Sequence, residues 1–223
     1  MENPPLDDEG DVAARIARRT LDRRAPDYTD EVRRLIDAGR EVMRRCGTAS
    51  RPRVADIVAE AGLSNDGFYR HFASKDALVA AILDDGTERL GSYLAHRMAK
   101  QATAADRVRG WVEGVLAQAA DEESAATTLA VMWNAASLGR SLTEPHASTS
   151  ARLAPLLREP FAELGSDDPD LDAELAAHAV VGRLTDLLWG RRSPSRAETE
   201  RLVRFCLAAC RAGDGRGDGT GEG

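Results

Sequence analysis

VADIVAEAGLSNDGFYRHFASKDALVAAIL, residues 54–83, is the stretch from which the rest of the chain is read. After Pro52, the apolar residues Val54, Ile57, Val58 and Ala61 step by three and four, which places them on one stripe of a helix. Gly62 stops that helix after roughly two and a half turns, too few to hold without tertiary packing. Leu63 is the apolar residue of the turn, and Ser64 caps a second short helix whose Phe68 and Phe72 lie one turn apart. Ser74 then caps a longer helix with Leu78, Ile82, Leu83, Leu90 and Leu94 as its buried side.

Working upstream, Thr29 is a good N-cap, followed by Asp30 and Glu31 at the positive end of the helix dipole. Val32, Leu35, Ile36, Gly39, Val42, Met43 and Cys46 make one face, and Gly47 supplies the left-handed stop. Two short helices joined by a glycine turn and braced by a longer helix on each side form a helix-turn-helix. Its second helix can enter a major groove about 12 Å wide. The expected fold class is all-α, an N-terminal three-helix helix-turn-helix domain followed by a helical domain, with about nine helices in total.

The motif residues resemble the DNA-binding domain of the TetR family of bacterial transcriptional regulators. Ile57, Ala61-Gly62-Leu63-Ser64, Phe68-Tyr69-x-His71-Phe72 and Ser74-Lys75-x-x-Leu78 carry the resemblance, over about residues 29–85. It implies that Tyr69 and His71 reach phosphates. Lys75, just after the Ser74 cap, would share a phosphate with helix-terminal N–H groups. Asn65, Asp66, Gly67 and Arg70 are the candidates for reading bases: Asn can pair with adenine, Asp accept from cytosine, Arg address guanine. Ser64 is the cap of this reading helix. Many members carry Lys-Gly-Thr where this chain has Asn65-Asp66-Gly67, so one phosphate contact is lost. A usual Thr/Ser pair is replaced by Pro52-Arg53; with Arg51 alongside, charge replaces hydroxyl contacts. The operator therefore cannot be copied from a relative.

Downstream, helix starts recur at Thr103 with Asp106, at Asp121, at Asp168-Pro169 and at Ser193-Pro194, while Pro145, Pro155 and Pro160 break the stretch 145–164. The last two long helices are apolar on more than one side, as expected of helices buried against their own core and a second chain. Leu175, Ala179, Leu202, Phe205, Cys206 and Ala209 are the candidate homodimer contacts; a fully internal helix is the alternative. The resemblance implies an effector cavity between residues 104 and 190, mostly apolar with few polar groups. Trp111, Met132, Trp133, Asn134, Ser137, His146 and His178 are its candidate contacts, although ordinary packing explains each alone.

The expected domains are a flexible extension 1–27, a DNA-binding domain 28–75, a ligand and dimerisation domain 76–212, and a disordered tail 213–223. The extension holds Arg15, Arg18, Arg19, Arg23 and Arg24, which read either as a minor-groove arm or as a solvated helix. The net charge of −7 and the pI near 5.2 argue against bulk-charge coating of nucleic acid. The charge is segregated, however. Residues 1–11 hold five acids and no base, 12–75 hold 14 Lys and Arg against 9 acids, and 76–223 hold 16 against 23. A basic segment in an acidic chain suits a polyanion partner at one end.

Cys46, Cys206 and Cys210 offer no metal-ligand spacing and read as small apolar residues. No apolar run approaches the ~20 residues of a membrane span, and the acidic N-terminus is unlike a signal peptide, so a cytoplasmic protein is expected. A phosphate loop, a nucleophile elbow and an HExxH motif are all missing. The expectation is a non-enzyme with no cofactor and no metal. It is a ligand-responsive regulator, a repressor by resemblance, that binds an inverted-repeat operator as a dimer and is released by a small molecule. The alternatives are a ligand-binding or adaptor protein on the same fold without sequence-specific DNA binding, and an enzyme on this scaffold.

Overall fold

A computed structural model describes residues 12–136 and 148–209, with side chains from Tyr28 onward. Among these, ten α-helices and no strand occur. The first four are α1 (Val12–Cys46), α2 (Val54–Ala61), α3 (Asn65–His71) and α4 (Lys75–Met98). Next come α5 (Ala104–Leu116), a 3-10 turn (Ala117–Ala119), α6 (Glu122–Ala135), α7 (Thr149–Leu153) and α8 (Pro155–Glu163). The long α9 (Pro169–Trp189) and α10 (Arg196–Ala209) complete the described chain. No helix among the described residues is long and apolar enough to cross a membrane.

Helix boundaries follow the local chemistry. Ser64 Oγ accepts from the Gly67 N–H at 3.1 Å and Ser74 Oγ from Ala77 at 3.1 Å. Thr103, Asp121 and Asp168 cap α5, α6 and α9 in the same way. At the α2–α3 turn Gly62 takes φ +65°, and the Leu63 N–H donates back to the Val58 carbonyl at 2.9 Å, closing the end of α2.

Two boundaries differ from the sequence expectation. The helix expected to start at Thr29 begins at Val12 and runs without interruption to Cys46. The Ala- and Arg-rich stretch before Thr29 favours helix, and Pro26 removes one backbone donor without ending it. A cap-type residue can act as a cap only where the preceding backbone is extended. At the other end α10 starts at Arg196, and the cap is Ser195, whose Oγ accepts from Glu198, rather than the Ser193-Pro194 pair. The acidic residues 1–11 and the Gly-rich tail lie outside the described residues.

Two hydrophobic cores share α4 and α6. The first packs Leu35, Met43, Ile57, Phe68, Leu78 and Ile82 from α1–α4, closed by Ala130 and Val131 of α6. The second gathers Leu94, Trp111, Leu157, Phe161, Val180, Leu184 and Val203 from α4, α5, α8, α9 and α10. Thus α6 presents Ala130 and Val131 to the first core and Leu129 to the second. That position ties the helix-turn-helix to the rest of the chain.

Candidate nucleic-acid interface and effector cavity

The recognition helix α3 is short, so its pose depends on what holds its inner side. Phe68 is fully buried, Phe72 lies beside it, and Gly67 is buried with its N–H committed to Ser64. His71 belongs to this inner side as well. Its side chain is 0% exposed, its Nε2 donates to Glu31 Oε2 at 2.6 Å, and its ring meets Tyr28 edge-on at 4.3 Å. Arg70 Nη1 donates to the same carboxylate oxygen at 3.1 Å. The hydrogen bond from His71, followed by the charge of Arg70, holds the Glu31 carboxyl below its usual pKa. Glu31 thereby fastens the last turn of α3 to α1.

This geometry corrects part of the expected contact set. His71 faces inward and is a brace, because burial of its ring leaves no path to a phosphate. Gly67 is buried and presents no side chain to a base. Arg51 stacks over the Trp133 ring of α6, 5.7 Å from its centroid, which directs it toward the helical domain. Asn65, Asp66 and Tyr69 stay exposed on the outer face of α3, with Arg70 also exposed beside them. Arg53, 83% exposed at the start of α2, and the half-buried Lys75 at the start of α4 flank that face. Ser64 is exposed, but its hydroxyl is occupied by the cap.

A cavity of about 710 Å³ lies where α1, α4, α6, α7 and α9 converge. Of the expected contacts among the described residues, only Met132 lines it. Trp111 is fully buried in the second core, Trp133 is under Arg51, and Asn134 is buried with its amide donating to the Ala130 carbonyl. His178 is exposed on α9 and bonded to the Glu174 carbonyl. Ser137 and His146 lie outside the described residues. The wall is also more polar than expected. Nine of its residues carry hydroxyls, among them Thr87, Tyr93, Thr127, Thr128 and Thr185, with Ile82, Leu90, Val131 and Leu184 between them. Arg40 reaches the cavity from α1 and Arg89 from α4. The sequence carried no signal for this set, because it assembles from five helices spread over most of the chain.

On the outer face of α9 and α10, Leu175 is 57% and Phe205 56% exposed, and Leu171 and Trp189 are also exposed. Ala179, Leu202 and Ala209 are half-buried beside them. Cys206, expected on this face, is fully buried in the second core together with Val203. One residue of offset on α10, about 100° around the helix, separates the inward Val203 and Cys206 from the outward Phe205. Arg183 donates to Glu198 and Arg109 to Glu200, anchoring α10 on α9 and α5.

Residues 35–82 match the family model described as bacterial regulatory proteins, tetR family. The match covers 48 of the 223 residues, so the family likeness is carried by the helix-turn-helix segment. The matched segment spans the first core from Leu35 to Ile82, including the α2–α3 pair. The fold also resembles solved structures of low identity. A TetR-family transcriptional regulator from Mesorhizobium loti has 18% identity and a TM-score of 0.59, covering 83% of this chain and 95% of that one. The reduced form of NemR from E. coli has 16% identity and a TM-score of 0.59, covering 82% and 95%. RolR in complex with resorcinol has 16% identity and a TM-score of 0.56, covering 83% and 89%. No curated protein matches the sequence. These solved structures share the all-helical architecture of both parts of the chain.

Proposed function

We propose that the chain is a ligand-responsive, DNA-binding transcription regulator that acts as a dimeric repressor. The observation that carries this reading is the outer face of α3, where Asn65, Asp66 and Tyr69 are exposed on a helix locked from beneath by Phe68 and His71. Asn65 and Asp66 suit base edges, whereas Tyr69, Arg53 and Lys75 suit phosphates, which position the helix without reading sequence. The apolar outer face of α9 and α10, with Leu171, Leu175 and Phe205 exposed and Leu202 half-buried beside them, is the dimer contact in this reading. A second copy sets the two recognition helices on two half-sites. The five arginines between Arg15 and Arg24 lie in the N-terminal part of α1 and add local positive charge. A small molecule in the cavity favours a dimer whose α4 helices hold the recognition helices at the wrong spacing, and release follows from that differential affinity.

The test is a gel shift with DNA flanking the chain's own gene. Wild type gives a discrete complex, Tyr69→Ala and Arg53→Ala weaken it on every sequence, and Asn65→Ala relaxes discrimination between sequences. Asp66 places an acid on the reading face, so failure of all flanking DNA to shift at low salt would favour a ligand-binding protein without an operator.

A further inference from the structure

The cavity has a cationic corner, built by Arg40 of α1 and Arg89 of α4. Arg40, on α1, donates to Asp37 at 3.0 Å and to Asp85 on α4. Arg89 lies 3.7 Å from the same Asp85 carboxylate. The two guanidinium side chains form part of the cavity wall, whereas Asp85 and Asp37 do not. A molecule inside the cavity therefore meets the half-buried Arg40 and the largely exposed Arg89, while their counter-acid Asp85 is not part of the wall. The acids that do line the cavity stand elsewhere. Asp121 is committed to capping α6, and Glu123 lies eight residues before Val131, about 12 Å along the helix at 1.5 Å per residue.

We propose that this cavity takes a small, hydroxyl- or aryl-bearing molecule with one anionic group, which docks on Arg40 in competition with Asp85. The proposal rests on reading the cavity as the effector site and adds the effector's chemical class and its point of leverage. Arg40 is half-buried, so an anion there is poorly screened, and a guanidinium offers a planar fork that carboxylate, sulfonate and phosphate groups match. The hydroxyl-rich remainder of the wall suits a polar body, and the apolar residues between accept a ring or short chain. Arg40–Asp85 is an ion pair between α1 and α4. An anion that draws Arg40 away from Asp85 loosens that contact between the DNA-binding domain and the helix leading out of it.

The experiment uses two fluorescent probes that differ only in charge, 8-anilinonaphthalene-1-sulfonate and neutral N-phenyl-1-naphthylamine, titrated into the full-length dimer. Arg40→Gln is expected to weaken sulfonate binding at least tenfold while the neutral probe changes by less than twofold. Asp85→Asn removes the competing acid and is expected to tighten the sulfonate several-fold, again leaving the neutral probe unchanged. The opposite signs separate a charge effect from loss of folding, which would weaken both probes in both variants. Equal effects on the two probes, no effect of Arg40→Gln, or no sulfonate binding at millimolar concentration would overturn the proposal. Both titrations are read without DNA. A failed gel shift would count against the regulator reading and leave this result standing.

Discussion

The two cores of this chain bury similar side chains but are assembled in different ways. The first is mostly sequential: α1 to α4 follow one another, with only Ala130 and Val131 of α6 closing it from outside that run, and each turn between them is fixed by a cap or a left-handed glycine close to the residues it positions. The second brings α5 together with α8, α9 and α10, so its contacts cross up to ~90 residues of chain, as in the Arg109–Glu200 ion pair. The difference teaches where specification resides. In the first core it lies in a few residue types at fixed spacing; in the second it is spread over helical periodicity, which fixes a face but not its partner.

The largest effects come from emptying either core. Phe68→Ala and Trp111→Ala should each cost about 3–5 kcal/mol, read by chemical denaturation. If the cores are separable, Phe68→Ala abolishes DNA binding while dimerisation and probe binding survive, whereas Trp111→Ala loses dimerisation and probe binding, and operator binding with them. Loss of all three properties in both variants would mean that shared α4 and α6 fuse the cores into one cooperative unit.

A smaller contrast lies in two glycines. Gly62 is required by its backbone, since φ +65° is strained for any residue with a Cβ although there is open space around it. Gly114 is required by its surroundings, since a Cβ there would stand 2.5 Å from Leu94 Cδ2. Gly62→Ala should cost about 1–2 kcal/mol, and Gly114→Ala about 1–3 kcal/mol from overpacking. Adding Leu94→Ala should rescue part of the second and none of the first. Equal rescue of both would blur the distinction.

The smallest effect is the response to acid. Glu31 is held below its usual pKa first by the hydrogen bond from His71, Glu198 first by that from Arg183, and Glu200 first by that from Arg109. A depressed carboxylate contributes stability that is full above its unfolded value near 4.5 and is lost as pH falls through the lower folded value. Both domains should therefore weaken below about pH 4.5. Glu31→Gln should flatten the acid limb of the first domain, followed through Tyr28 and Tyr69, and leave the second unchanged. These groups are only half-buried and reached by solvent, so the shift in melting temperature should be small.

The same contrast explains what could be read from the sequence. The turn at Gly62, the caps at Ser64 and Ser74, and the apolar seam of Ile57, Phe68, Phe72 and Leu78 are local features, and the structure agrees with each of them. His71 was legible in part: positions 68, 71 and 72 share one helical face, so its place beside the two phenylalanines signals burial, but its partner Glu31 is 40 residues away. Arg51 gave no such signal, because its stacking on Trp133 exists only once α6 packs against the helix-turn-helix. The start of α1 was obscured by a genuine cap-type residue inside a longer helix. The cavity was illegible for a different reason. Arg40 sits on a face that α1 repeats elsewhere, and only the convergence of five helices turns it into a wall.

The central claim is that α3 reads DNA from a dimer, and hydroxyl-radical footprinting on DNA flanking the chain's own gene tests it most directly. The account predicts two protected stretches whose centres lie one helical turn, or a whole multiple of it, apart. Asn65→Ala should fade both stretches, and Asp85→Asn should leave their spacing intact. Uniform protection without periodicity, or a single protected stretch insensitive to Asn65, would contradict it.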